Sequence, residues 1–466
     1  MRPALLLLAA APLVLALGCK DEPMPTSDAQ VSDTLSRDLA ISDGLPSRDG
    51  PHLPPLKHLW SAHLNADPDV IALGLALAQD HAVFITAPGI TAKLDAQGQE
   101  IWQKPFGGDT VAVDAKDNII LTGTLWGTKD FGGGPMKASG FADLIVVKYD
   151  ATGKHLWSRH LGGTSDKASA HGHALVVDSD QNILVSGNFD DTLTVGGSLI
   201  TANPAYDGLV IKFDGNGKHL WHKTFGSPLD DAANAVAVGP GNKVIVTGQF
   251  GGTIDLGGGP LTSQGGSSFG TDSLVAQFDS QGRHLWSHSL GSADDNMGLD
   301  ITTDQAGNVT LSGVFWGTIQ IGDKTLTSSD PDFGDVFIAH YDTKGQLLWS
   351  RRVGGKDYNH FARISSDGSG PILLAGKFKG MMDFDGTHPI TSVGQYTNMF
   401  LAEYGNDGTL LWRKAYAGTS HVGAWRAIRD GSSIVAIGSF KGTLNLGGSD
   451  LVATDEKTSI FIVKLQ

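Results

Sequence analysis

The chain has 466 residues, with 62 glycines, one cysteine and a formal net charge of −15. A single cysteine excludes a disulfide scaffold, glycine without a period of three excludes a collagen, and the acidic balance argues against a nucleic-acid-binding surface. At this length the sequence encodes either several domains or one closed repeat array.

The N-terminus reads as a targeting segment. Arg2 is followed by an apolar run from Ala4 to Leu17, interrupted only by Pro12. That run is too short to span a bilayer and suits the core of a signal peptide over residues 1–18. It ends at Leu15-Ala16-Leu17-Gly18-Cys19, which resembles the lipobox of bacterial lipoproteins. The resemblance implies acylation of Cys19 and a lipid-anchored protein of the bacterial outer membrane or cell surface.

Residues 19–55 then read as the lipidated Cys19 and an acidic tether. From residue 20 to 55, seven acids stand against three bases, a net charge of −4, and prolines recur from Pro23 to Pro55. No periodic apolar face appears, so the composition predicts disorder.

The remainder, residues 56–466, is governed by a repeat. Trp60, Trp102, Trp157, Trp221, Trp286, Trp349 and Trp412 share one context, at intervals of 42, 55, 64, 65, 63 and 63 residues. Lys57-His58-Leu59-Trp60 recurs as Lys154-His155-Leu156-Trp157 and Lys218-His219-Leu220-Trp221. Before most of these tryptophans stands an Asp-x-x-Gly turn, such as Asp150 with Gly153 and Asp214 with Gly217. Aspartate bonds its own backbone there and glycine accepts positive φ. Each unit thus predicts four short strands divided by Gly, Asn and Asp turns.

Tandem four-stranded units imply an all-β propeller. Its closure is also encoded. Ile460-Phe461-Ile462-Val463-Lys464 matches Ile145-Val146-Val147-Lys148, and the sequence ends at Gln466 where the next turn and Trp strand belong. The strand around Trp60 supplies the missing piece, giving seven blades with no open sheet edge.

The units resemble the bacterial seven-bladed β-propeller repeat of surface proteins. The matching motif is Gly-x-Phe-x-Gly-Thr (Gly248 to Thr253), followed by Gly257-Gly258, with related copies at Gly313, Gly376 and Gly438. The Asp-x-x-Gly-x-x-x-Trp element is similar to the tryptophan-docking motif of pyrroloquinoline-quinone propellers and of an outer-membrane assembly lipoprotein. The first unit departs from the pattern, with no Gly-x-Phe-x-Gly-Thr. The resemblance implies a fold and little about activity, because propellers host binders and enzymes alike.

Numbering strands outward from the channel, the links from strand 1 to 2 and from 3 to 4 are tight, while those from 4 to 1 and 2 to 3 are long. Both long links fall on one face, the expected functional surface. Nine residues after the tryptophans lie Asp69, Val111, Asp166, Asp230, Asp295, Tyr358 and His421, with Asp231, Asp294 and Asp357 adjacent. Converging carboxylates there could hold Ca²⁺, through Asp166, Asp230 and Asp295, or act as acid and base. The plainer expectation is that each caps its own loop.

His171 and His173 alternate and are expected to project to one face, with His360 in a related loop. Trp126, Trp316 and Trp425 fall outside the packing series and are candidates for carbohydrate or partner stacking. A His-Glu-x-x-His motif is missing. The composite expectation is a lipid-anchored binding or protein-interaction scaffold without a cofactor. The alternative is an envelope hydrolase or lyase acting on a polysaccharide or similar polymer at an acidic channel mouth.

Overall fold

The computed structural model describes residues 56–65, 74–265, 270–330, 332–357, 359, 361–387, 389–453 and 458–466. Cys19 and Asp69 lie outside them, as do Tyr358 and His360.

Seven four-stranded antiparallel sheets follow one another along the chain. The third blade shows the plan: Ala170–Val177 innermost, then Ile183–Phe189, Asp207–Phe213 and the Trp strand His219–Phe225 outermost. The first blade runs from Gly74–Leu77 to Glu100–Lys104 and the second from Thr110–Val113 to His155–Leu161. The fourth begins at Ala232–Gly239, the fifth at Asn296–Thr303, the sixth at Phe361–Ser365 and the seventh at Val422–Asp430. The one helical turn among the described residues is Pro240–Asn242.

The ring closes as expected. His58–Asn65 is the outermost strand of the seventh blade, pairing antiparallel with Ser459–Leu465 from the end of the chain. Innermost strands of neighbouring blades touch all the way round. On the tight-turn face, polar bonds bind each blade to the next. Gln79 Nε2 donates to Ala115 O at 2.8 Å, and Ala115 N to Gln181 Oε1 at 2.8 Å. Ser179 N donates to Asn242 Oδ1 at 3.1 Å, and Thr303 Oγ1 to Val238 O at 3.0 Å. Gln305 N donates to Gly368 O, Ser365 Oγ to Ala427 O, and His81 pairs with Asp430 to complete the circle.

The tryptophans are packing residues. Most reach across to the tight turn of the following blade: Trp157 Nε1 donates to Gly215 O at 3.3 Å, Trp221 Nε1 to Ser280 O at 3.1 Å and Trp349 Nε1 to Asn406 O at 2.7 Å, whereas Trp286 and Trp412 donate to Gln277 and Glu403 of their own blades. Gly217 sits at φ 77°, and a Cβ there would lie 3.0 Å from the Trp157 ring. The turn therefore needs glycine twice, for its backbone and for the close approach of the indole. Behind this layer the second and third strands are buried almost without break, as in Asp207–Phe213. Their Val, Ile, Leu and Phe side chains form the inter-blade cores.

The long link between strands 2 and 3 is more ordered than the sequence suggested. In most blades it forms a two-stranded ribbon, for example Thr192–Val195 with Ser198–Thr201 and Thr318–Ile321 with Lys324–Thr327. The first blade has no such ribbon: Val83–Ala87 turns directly into Ile90–Leu94. This explains its short repeat. The Gly-Gly that follows the motif receives the His of His-Leu-Trp. A Cβ on Gly258 would lie 2.1 Å from the His284 ring, and one on Gly133 2.3 Å from His155.

Candidate functional site on the long-loop face

The strand 4 to strand 1 links begin with glycine because a carboxyl occupies the space beside them. A Cβ on Gly162 would lie 1.9 Å from Asp143 Oδ1, and one on Gly226 1.9 Å from Asp207 Oδ1. Asp272 and Asp335 fill the same place beside Gly291 and Gly354. Of these four buried aspartates, Asp207, Asp272 and Asp335 open their third strands and Asp143 lies within Pro135–Tyr149, and sequence reasoning missed them. The available signal was their register, each fourteen residues before its tryptophan. They are held by local donors: Asp143 Oδ2 accepts from Ser139 N at 2.9 Å and pairs with His160 Nδ1 at 2.6 Å. Asp335 accepts from Ser329 N at 2.7 Å and from Arg352 Nη1 at 2.8 Å.

The residues singled out from the sequence divide into three groups. Asp231 is fully buried. Its two oxygens accept from Ser227 N at 2.6 Å and Gly251 N at 2.8 Å, which ties its link to its own blade's Gly-x-Phe-x-Gly segment. Burial pushes its carboxyl up to about 7, against the pull of those bonds. Asp230 and Asp295 are exposed and each reaches back to the preceding blade. Asp230 Oδ1 accepts from Tyr206 N at 3.4 Å, and Asp295 Oδ1 from Thr271 N at 3.1 Å. Burial raises the Asp295 carboxyl, with the neighbouring Asp294 adding to the rise. Asp166 and Asp294 are exposed, and Asp357 is half-buried at φ 84°.

These acids are not gathered into a cation site. Among the described residues, no three His, Cys, Asp or Glu side chains come together as a metal ion would require. Asp166, Asp230 and Asp295 stand on links of three different blades, and the latter two spend an oxygen on a backbone amide.

The histidine pair is corrected by a bulge. The strand register shifts between Gly172 and Ala174, so strict alternation fails at His173. His171 turns toward the second blade, where its Nδ1 lies 3.1 Å from Thr124 Oγ1 and its ring 6.4 Å from Trp126. His173 is engaged instead with the backbone of Ala233 in the fourth blade. Burial pushes both rings down to about 4, so both are neutral near pH 7.

Trp425 is likewise corrected. It is only 9% exposed, with Nε1 donating to Ser439 Oγ at 2.8 Å and Lys377 Nζ 4.8 Å from the ring. Trp316 packs against a hydrophobic core. Trp126 is 39% exposed and remains open for stacking. His421 lies at the rim, with Nδ1 3.2 Å from Thr397 Oγ1 and its ring 5.0 Å from Tyr396.

One further carboxyl on this face lay outside the nine-residue register. Asp109, on the shorter link from the first to the second blade, is half-buried, and burial pushes it up to about 7 despite Lys129. Acid–base chemistry needs a perturbed group that a substrate can reach. Asp231 is perturbed but enclosed, with both oxygens occupied.

No protein-family model matches the chain. An uncharacterized WD repeat-containing protein of Acanthamoeba polyphaga mimivirus is 22% identical, over 53% of this chain and 22% of that protein. The regulatory protein FlaEY of Caulobacter vibrioides is 23% identical, over 40% of this chain and 19% of that protein. The chain therefore matches about a fifth of the length of these curated relatives. Among solved structures, the Pan2 WD40 domain of Neurospora crassa is similar at a TM-score of 0.46 and 11% identity, covering 88% of this chain and 97% of that one. YCF48 bound to D1 peptide is similar at a TM-score of 0.40 and 7% identity, covering 86% and 96%. The seven blades rest on the strand pairing itself.

Proposed function

We propose that the protein is a lipid-anchored cell-envelope propeller that serves as a binding and protein-interaction scaffold, with the long-loop face as its contact surface. The observation that carries this reading is the use made of the carboxyls. Asp231, Asp143 and Asp335 are consumed in bonds that fix the loops, while Asp166, Asp230, Asp294 and Asp295 are left on the surface of those loops. A rigid ring that displays acidic, pre-shaped loops is suited to recognition. The partial likeness to a WD repeat-containing protein supports a scaffold as well.

Lys57, beside the first described residue, exchanges backbone hydrogen bonds with Gln466 on the tight-turn face, opposite Asp230 and Asp295. In this reading Cys19→Ser releases the protein from the membrane fraction or blocks its maturation.

A photo-reactive residue placed at position 230 or 294 should give discrete cross-linked adducts in envelope preparations. The same residue at position 214 or 279, on the tight-turn face, should give none. Equal adduct patterns from both faces would contradict the assignment.

A further inference from the structure

The innermost strands carry a charged cluster that belongs to neither face. Pairing with the second strands places Gly74, Thr110, Ala174, Ala235, Asp300, Arg363 and Arg426 at the same height in the seven blades, opposite Thr86, Thr122, Ser186, Thr247, Ser312, Ala375 and Ile437. Four blades thus present Gly, Thr or Ala, and all three charges fall in the fifth, sixth and seventh blades. The cluster bridges blades. Arg426 Nη2 from the seventh blade passes the sixth to stand 3.6 Å from Asp300 Oδ2 in the fifth. His173, in the third blade, feels the positive charge of Arg363 in the sixth.

The charges do not balance. Two guanidiniums face one carboxylate, and His173 is neutral near pH 7 because burial, first of all, pushes it down to about 4. Pairing is also incomplete. Arg363 Nη1 donates to Leu299 O at 3.2 Å, while Asp300 Oδ2 and Arg426 Nε are buried and make no hydrogen bond. Burial lowers the Arg363 pKa, Asp300 raises it and Arg426 lowers it again, as expected of cations taken out of water and only partly compensated.

We propose that the central channel binds a small organic carboxylate, held between the Arg363 and Arg426 guanidiniums on the side of the channel facing the uncharged blades. A carboxylate matches the planar fork of arginine. A monoanion cancels the single unbalanced charge, whereas a dianion would overcompensate it beside Asp300. Asp300 acts as a resident competitor that keeps the two arginines tolerable when the ligand is absent. The inference is independent of the long-loop contact surface.

The test uses acetate at pH 7 with the full propeller chain. Melting is followed in sodium acetate against sodium chloride at matched ionic strength, and binding by the line width of ¹³C-labelled acetate. The wild type should show a saturable rise in Tm and broadening specific to acetate. Arg363→Gln and Arg426→Gln should each weaken acetate roughly tenfold or more, the loss of one charge-assisted hydrogen bond. Asp300→Asn should tighten it by about tenfold, because the competitor is gone. Arg159→Gln, on an outermost strand, should leave binding unchanged. Should an arginine variant fail to fold, Asp300→Asn still decides the matter, since a merely structural ion pair predicts no tighter acetate binding. A wild-type response that does not saturate, or an Asp300→Asn variant that binds no better than wild type, overturns the proposal.

Discussion

The two faces of the propeller are both rich in aspartate and use it in opposite ways. On the tight-turn face, Asp114, Asp178 and Asp430 pair with Lys148, Lys212 and Lys464 at 2.8, 2.7 and 2.5 Å. All three carboxyls lie below their usual range: burial is the largest single influence, and it is outweighed by the ion pair together with turn amides at Asp114 and Asp178 and with His81 at Asp430. On the long-loop face, the buried Asp207, Asp231 and Asp272 are raised, with burial the first cause in each case. One face ionises its acids at a gain in stability, and the other holds them buried at a cost. In the proposed reading, a cost repeated in several blades fits a surface kept for recognition rather than for stability.

Substitutions should separate the faces. The largest effect is expected from Lys212→Met, which strands Asp178, whose side chain is wholly buried. Removing one partner of a buried pair costs about 3–5 kcal/mol, measured by denaturant unfolding at pH 7. Gly217→Ala should follow at about 1–3 kcal/mol, since it strains a positive-φ turn and meets the Trp157 ring. Asp230→Asn, exposed on the opposite face, should change stability by no more than ~0.5 kcal/mol. A destabilisation as large as that of Lys212→Met would erase the distinction. The smallest expected effect is that of calcium. Millimolar Ca²⁺ should leave Tm unchanged, and a rise abolished by Asp230→Asn with Asp295→Asn would restore a cation site.

Repetition made most of the fold legible. The Trp register, the Asp-x-x-Gly turns and the strand shared between the chain's two ends each recur or close a pattern, and each is built from local turn chemistry. Contacts between distant segments were harder to read. The His of His-Leu-Trp and the later Gly-Gly were visible as separate signals, but only the fold seats His284 on Gly258 and His155 on Gly133. Asp143 and its counterparts were hidden by their position at the mouth of an apolar strand, where an acid is unexpected until the neighbouring glycine is seen to make room. The bulge after Gly172 left no sequence mark, so the two histidines could not be assigned to different neighbours. Arg363, Arg426 and Asp300 were invisible for the converse reason. They occupy one register in three blades that share no motif there, and a search for repeats passes over them.

The division between the faces is tested most directly by the pH dependence of unfolding free energy for Asp178→Asn and Asp231→Asn, each taken relative to wild type between pH 3 and 8. Asp178 has a lowered folded pKa, so its contribution is present above the unfolded value of 3.8 and lost as pH falls through the folded one. The penalty of Asp178→Asn should therefore be full at pH 7 and shrink in acid. Asp231 is raised to about 7 from 3.8, so its contribution is present below 3.8 and lost as pH rises toward 7. The penalty of Asp231→Asn should be greatest near pH 4 and decline, by on the order of 1–3 kcal/mol, toward pH 8. Opposite slopes are the predicted result. Slopes of the same sign would contradict the division of labour between the two faces.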